Sequence, residues 1–143
     1  MTTQAQRFTA LLLLSGLIFT AIGCGGSGHD RTEVTGKLTL DGKPMPSGLT
    51  IKFTPDDGRP ASLGATTPES TYTVYGEPGK IGLHPGTYTV SVELPFADEP
   101  GPYTGPPELA KIKIPSAYQT GKSSLTFSVP DGGTTFDIEM TSK

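Results

Sequence analysis

From residue 33 onward, apolar and polar residues alternate in short runs, and each run ends at a cluster of turn formers. Val34, Gly36, Leu38 and Leu40 alternate with Glu33, Thr35, Lys37 and Thr39. A period of two turns one set toward a buried face and the other toward water, which predicts a strand. Asp41-Gly42 then supplies a turn, and Pro44 and Pro46 stiffen the connection to a second row, Leu49, Ile51 and Phe53. Asp56-Asp57-Gly58 ends that row. Ala61, Leu63 and Ala65 predict a third, weaker strand with small inward residues, and Thr71 to Tyr75 predict a fourth. Pro85-Gly86 precedes Tyr88, Val90, Val92 and Leu94, the strongest inward row in the chain. The last two rows are Leu125, Phe127, Val129 and Phe136, Ile138, Met140, and Asp131-Gly132-Gly133 between them reads as a hairpin turn.

Seven runs at this spacing, with no sustained helical period beyond the N-terminus, predict an all-β domain over 33–143. The expected architecture is a seven-stranded antiparallel Greek-key sandwich, Ig-like in its strand spacing. Segment 95–122 stands apart, with Pro95, Pro100, Pro102, Pro106, Pro107 and Pro115. A loop of that length is usually functional or disordered. Its apolar part, Leu109 to Ile114, is expected to dock as a short edge strand.

The first 23 residues follow a different pattern. A polar start ending in Arg7 leads into an uncharged apolar run from Phe8 to Ile22, too short for a membrane span of about 20 residues. The exit is small, Ala21-Ile22-Gly23, which completes the pattern of a signal peptide over 1–23. Ala21-Ile22-Gly23-Cys24 resembles the lipobox of bacterial lipoproteins, with Ala21 where leucine is usual. That resemblance implies cleavage before Cys24 and a lipid on its thiol and amine, so that membrane lipid is the first partner. Each buried methylene contributes about 0.8 kcal/mol, and two or more acyl chains hold firmly. The other reading of the same residues is ordinary signal cleavage, which leaves a free N-terminal cysteine. Gly25-Gly26-Ser27-Gly28 has the composition of a flexible tether, assigned to 24–32. The expectation is an exported protein, lipid-anchored to a bacterial membrane.

Composition narrows the functional classes. Gly and Pro number 19 and 14, Trp is absent, and Cys24 is the single cysteine, so no internal disulfide is available. The formal charge is −3. Loss of 1–23 would remove Arg7 alone, giving ten basic and fourteen acidic residues and a charge of −4. The basic residues are scattered singly, apart from Lys111-x-Lys113, so nucleic acid is not an expected partner.

Several motifs, taken in order, resemble one family. Val34-Thr-Gly36-Lys37-Leu38-Thr-Leu40-Asp41-Gly42-Lys43-Pro44 is similar to the first hairpin of the carboxypeptidase regulatory-like, or transthyretin-like, β-sandwich. Pro85-Gly86-Thr87-Tyr88-Thr89-Val90 is similar to its Pro-Gly-x-Tyr-x-Val strand. Ile114-Pro115-x-x-Tyr118, then Leu125-x-Phe127-x-Val129 and Phe136-x-Ile138, resemble the C-terminal half of small bacterial lipoproteins built on this domain. The resemblance spans about residues 33–140 and implies a transthyretin/prealbumin-like sandwich in a mostly structural or accessory role. The family's Asp-x-x-Gly-x-Tyr turn is replaced here by Pro68-Glu69-Ser70-Thr71-Tyr72, so that turn must be rebuilt.

Candidate chemistry is sparse. His29 sits in the tether and His84 just before Pro85-Gly86, and neither begins a His-x-x-Glu pair. Too few nitrogen and sulfur ligands remain for a zinc site, so no metal and no cofactor are expected. The chain ends Thr141-Ser142-Lys143 rather than in the Tyr-Arg-Gly-Ser of transthyretin relatives that hydrolyse 5-hydroxyisourate. Gly121-Lys122-Ser123 lacks the earlier glycine of a phosphate loop and precedes a strand, and Asp56-Asp57 lacks the acids of a calcium loop. No catalytic residue is expected. Tyr75, Phe96 and Tyr103 are the candidate ligand-facing aromatics, and Tyr118 is expected to cap a sandwich edge. The functional expectation is a noncatalytic envelope module contacting protein or serving structure. A carbohydrate-binding module is the alternative, and a transthyretin-scaffold hydrolase around His84 a more distant one.

Overall fold

The alternation after residue 33 folds as strands throughout. A computed structural model describes residues 30–96 and 100–143, and Cys24, His29, the signal segment 1–23 and most of the tether lie outside the described residues. The strands are β1 (Val34–Leu40), β2 (Lys43–Pro44), β3 (Thr50–Pro55), β4 (Ser62–Ala65), β5 (Thr71–Glu77), β6 (Lys80–Ile81), β7 (Gly86–Glu93), β8 (Thr126–Val129), β9 (Thr134–Thr135) and β10 (Ile138–Met140). Seven of them form one hydrogen-bonded path in the order β10-β1-β5-β4-β3-β7-β8. The short β2 and β9 pair with β1, and β6 pairs with β5. Each of the seven expected runs contributes one strand of the path. Most pairings are antiparallel, but β9 and β10 run parallel to β1.

The path curls until its two ends meet. Phe127 on β8 stacks on Phe136, which leads into β10, with ring centroids 4.2 Å apart and planes 24° apart. Phe53, on β3, stands inside the curl at 6.3–6.4 Å from the rings of Tyr72, Tyr88, Phe127 and Phe136. Around it lie the inward rows, among them Val34, Leu38, Ile51, Val74, Val90 and Val92, each fully buried. A curled sheet with an apolar inner face can bury that face against itself, and this burial is what drives the chain into one core.

Turn chemistry explains the local joins. Asp41 and Gly42 have φ of 49° and 75°, the left-handed pair that a two-residue hairpin between β1 and β2 requires. The rebuilt turn before β5 puts Ser70, a non-glycine residue, at φ 65°. Ser70 is buried, its hydroxyl donates to the Leu38 carbonyl at 2.5 Å, and the Met45 N–H donates to that hydroxyl at 2.7 Å. Two buried hydrogen bonds hold a backbone conformation that glycine would adopt without strain.

Four expectations are corrected. In β4 the inward residues are Ser62, Gly64 and, just beyond it, Thr66, while Leu63 is 48% exposed. The register places Ile51 opposite Gly64 and Phe53 opposite Ser62, so the bulk of β3 leaves room only for small partners. Asp131-Gly132-Gly133 does not close a hairpin. β8 pairs with β7, and the chain then crosses to β1. Turn residues mark a change of direction without selecting the next neighbour, and the Phe127–Phe136 stack selects it here.

Leu109–Lys111 forms a short 3-10 turn rather than an edge strand, with Leu109 buried. Its N–H groups turn back on the chain instead, Leu109 donating to the Pro106 carbonyl at 3.0 Å and Ile112 to the Leu109 carbonyl at 2.9 Å. Thr32 is part of the domain rather than the tether: it is buried, exchanges backbone hydrogen bonds with Leu83 at 2.6 and 2.8 Å, and donates its hydroxyl to the Pro130 carbonyl at 2.8 Å.

Candidate functional site

The three aromatics singled out above do not share a surface. Tyr75 is 46% exposed on the outer side of β5, opposite Leu63. Phe96 is 56% exposed but lies beyond the end of β7. β4 and β3 lie between β5 and β7 in the sheet order, so the two rings are not neighbours on adjacent strands. Tyr103 is partly buried: it packs against the core, and its buried hydroxyl has no hydrogen-bond partner among the described residues. Tyr118 meets its expectation, since its ring packs on the core and its hydroxyl accepts the Thr141 N–H at 3.2 Å.

The residues that do converge are different ones. A cavity of about 250 Å³ opens at the end of the sheet where β3, β5 and β7 present Pro55, Gly76 and Tyr88. Arg31, Arg59 and His84 reach it from three loops, with Ser62 and Glu77 completing the wall. Each side chain has a local reason to be there. Arg31 precedes the Thr32–Leu83 bridge, which fixes its backbone beside β5. Its guanidinium lies on Gly76, where any Cβ would collide with Arg31 Nη1 and stand 2.6 Å from the Gly82 carbonyl oxygen.

Arg59 sits in the β3–β4 turn, where the Asp57 carboxylate accepts its backbone N–H at 3.1 Å and its Nε at 2.7 Å. Arg59 Nη2 reaches the Pro85–Gly86 turn, 3.5 Å from the Pro85 carbonyl, and Gly86 there has φ 149°. Tyr88 forms the floor. It is buried, and its hydroxyl donates to the His84 carbonyl at 2.9 Å, which fixes the loop carrying His84.

Ion pairs set the charge state of the rim. Glu77 accepts from Lys80 at 2.9 Å and also pairs with Arg31. These contacts, Lys80 first, hold its carboxyl below the ordinary range. Asp57 is likewise lowered, chiefly by the Arg59 backbone N–H, whereas burial pushes the Tyr88 phenol up. Two cations, a hydroxyl and an imidazole around a recess can orient an anion. Among the described residues no three His, Cys, Asp or Glu side chains gather as a metal site.

A larger groove of about 510 Å³ runs between the end of β7 and the proline-rich loop, lined by Val92, Leu94, Ile112 and Ile114 with Glu93, Lys113, Gln119 and Thr120. Its carboxylate, Glu93, faces Lys52 at 3.8 Å.

Sequence reasoning weighed His84 and passed over Arg31, Arg59 and Ser62. They lie 22 or more positions from His84, and no local spacing links them. The only advance signal was Gly86, which the Pro-Gly-x-Tyr motif places beside Tyr88. No family model matches the chain, and no curated protein or solved structure shows significant similarity to it.

Proposed function

We propose that this chain is a noncatalytic module of a bacterial envelope, anchored by lipid on Cys24, whose curled sheet is a Greek-key sandwich of the transthyretin-like, carboxypeptidase regulatory-like kind. Its role is to contact another envelope protein or to serve structure there. The observation that carries this reading is the order of parts: a short apolar signal, Gly23-Cys24, a glycine-rich stretch, and a domain whose pairing begins at Thr32. At about 3.3–3.6 Å per extended residue, eight residues from Cys24 to Thr32 span no more than roughly 30 Å, which keeps the domain close to a membrane surface. A carbohydrate-binding role loses support, because Tyr75, Phe96 and Tyr103 do not form one stacking platform.

The test of the anchor is Cys24→Ser. The parent chain should fractionate with membranes and the variant should not, and unchanged fractionation of the variant would refute the lipid assignment. For the role, crosslinking in native membranes should give the same protein partner in repeated preparations. Saturable heat on titration with cell-wall polysaccharide would instead favour the carbohydrate reading.

A further inference from the structure

The polar cavity carries more than a general binding role. Both arginines are already held by carboxylates, Arg31 by Glu77 and Arg59 by Asp57, yet each keeps its Nη1 arm without a hydrogen-bond partner among the described residues. The Ser62 hydroxyl and the His84 ring, which line the same recess, also make no hydrogen bond there. Ser62 is only 6% exposed, so its hydroxyl faces the cavity rather than bulk water. A hydroxyl that opens on a recess in this way can take water or a ligand as its partner. Gly76 leaves the space in which the Arg31 guanidinium stands.

We propose that the cavity formed by Arg31, Arg59, Ser62 and His84 over Tyr88 is a binding site for a small carboxylate ligand. Each remaining Nη1 can donate one charged hydrogen bond to a carboxylate oxygen, and the hydroxyl and imidazole supply further donors. Charge selects a monoanion. Arg31, Arg59 and Lys80 against Glu77 and Asp57 leave one net positive charge around the recess, on a chain whose net charge is −3. A second negative charge on the ligand would meet the two fixed carboxylates uncompensated, so phosphate is the poorer fit. A volume of about 250 Å³ admits a short organic acid or a carboxylate-bearing end of a larger molecule, not a long chain laid flat.

The test is amide NMR on the full chain in detergent, titrated with sodium acetate or sodium phosphate, with sodium chloride holding the ionic strength. Acetate should give saturating shifts at the amides of Ser62, Gly76, His84 and Gly86, and phosphate should bind no more tightly. Arg59→Gln should weaken acetate binding roughly tenfold, the effect of losing a charged hydrogen-bond donor. Arg59 is partly exposed in a turn, so the rest of the spectrum should stay in place. Ser62→Ala provides a second, fold-conserving probe and should weaken acetate severalfold. Non-saturating acetate shifts, saturation at other residues, or equal affinity in both variants would overturn the site. Tighter binding of phosphate would overturn its assignment to a carboxylate.

Discussion

The Tyr72 side chain lies across Gly36 on the neighbouring strand and donates its hydroxyl to the Phe136 carbonyl beyond it. Gly36 is opposite Tyr72 in the β1–β5 register, and a Cβ there would collide with the Phe136 oxygen and stand 2.8 Å from the tyrosine hydroxyl. The missing side chain of one strand is the channel for the ring of the next. The bond ties β5 to the segment that joins β9 and β10, across β1. Gly36→Ala should therefore destabilise the fold by about 2–3 kcal/mol through overpacking. Tyr72→Phe keeps the ring and should lose only about 1–2 kcal/mol with the hydrogen bond. Urea unfolding monitored by tyrosine fluorescence and circular dichroism separates the two, and a Gly36→Ala chain as stable as the parent would mean the crossing is looser than it looks.

The same buried phenol makes stability sensitive to alkali. Burial raises the Tyr72 pKa above its ordinary value near 10, with Asp137 adding to the shift, and burial raises Tyr88 as well. A folded-state pKa above the unfolded one means that the unfolded chain releases its proton first as pH rises. The stabilisation is complete below about pH 10 and is lost progressively above it. Melting temperature should hold steady from neutral pH to about 9 and then fall, and the fall should be shallower in Tyr72→Phe. An identical alkaline slope in that variant would remove Tyr72 as its source.

Ser70 combines a left-handed backbone with two buried hydrogen bonds, and the two contributions can be separated. Ser70→Ala loses the hydroxyl and keeps the strain, and should cost about 2 kcal/mol. Ser70→Gly also loses the hydroxyl but relieves the strain, so it should be the milder change by about 0.5–1 kcal/mol. Chemical denaturation of both variants gives the order, and a reversed order would place the larger contribution in side-chain packing.

Leu63 tests the facing of β4. Half exposed on the outer side, it should tolerate Leu63→Thr within about 0.5 kcal/mol. Gly64→Ala, one residue on, should be harmful, because its Cβ would stand 2.9 Å from the Thr73 carbonyl oxygen. Thermal melts of the two variants decide, and a large loss at Leu63 would restore the inward facing that its hydrophobicity suggested.

How much was legible varied with the kind of information needed. The strand spans followed from alternation, because a period of two is a local property of a pleated backbone. The facing of β4 did not, because its smallest residues point inward and only the bulk of Ile51 and Phe53 opposite explains why. Tyr103 looked like a loop aromatic, and its burial depends on how the proline-rich segment folds back over the core.

Local patterning by itself determined the class of fold, the seven main strands, most of the core rows and the Asp41-Gly42 turn, since each needs only neighbouring residues. Tertiary structure alone decided the order of strands, the parallel return of β10 beside β1, and the meeting of Arg31, Arg59, Ser62 and His84 in one recess. Those outcomes depend on how the sheet curls around Phe53, and curling brings together residues that no spacing along the chain connects.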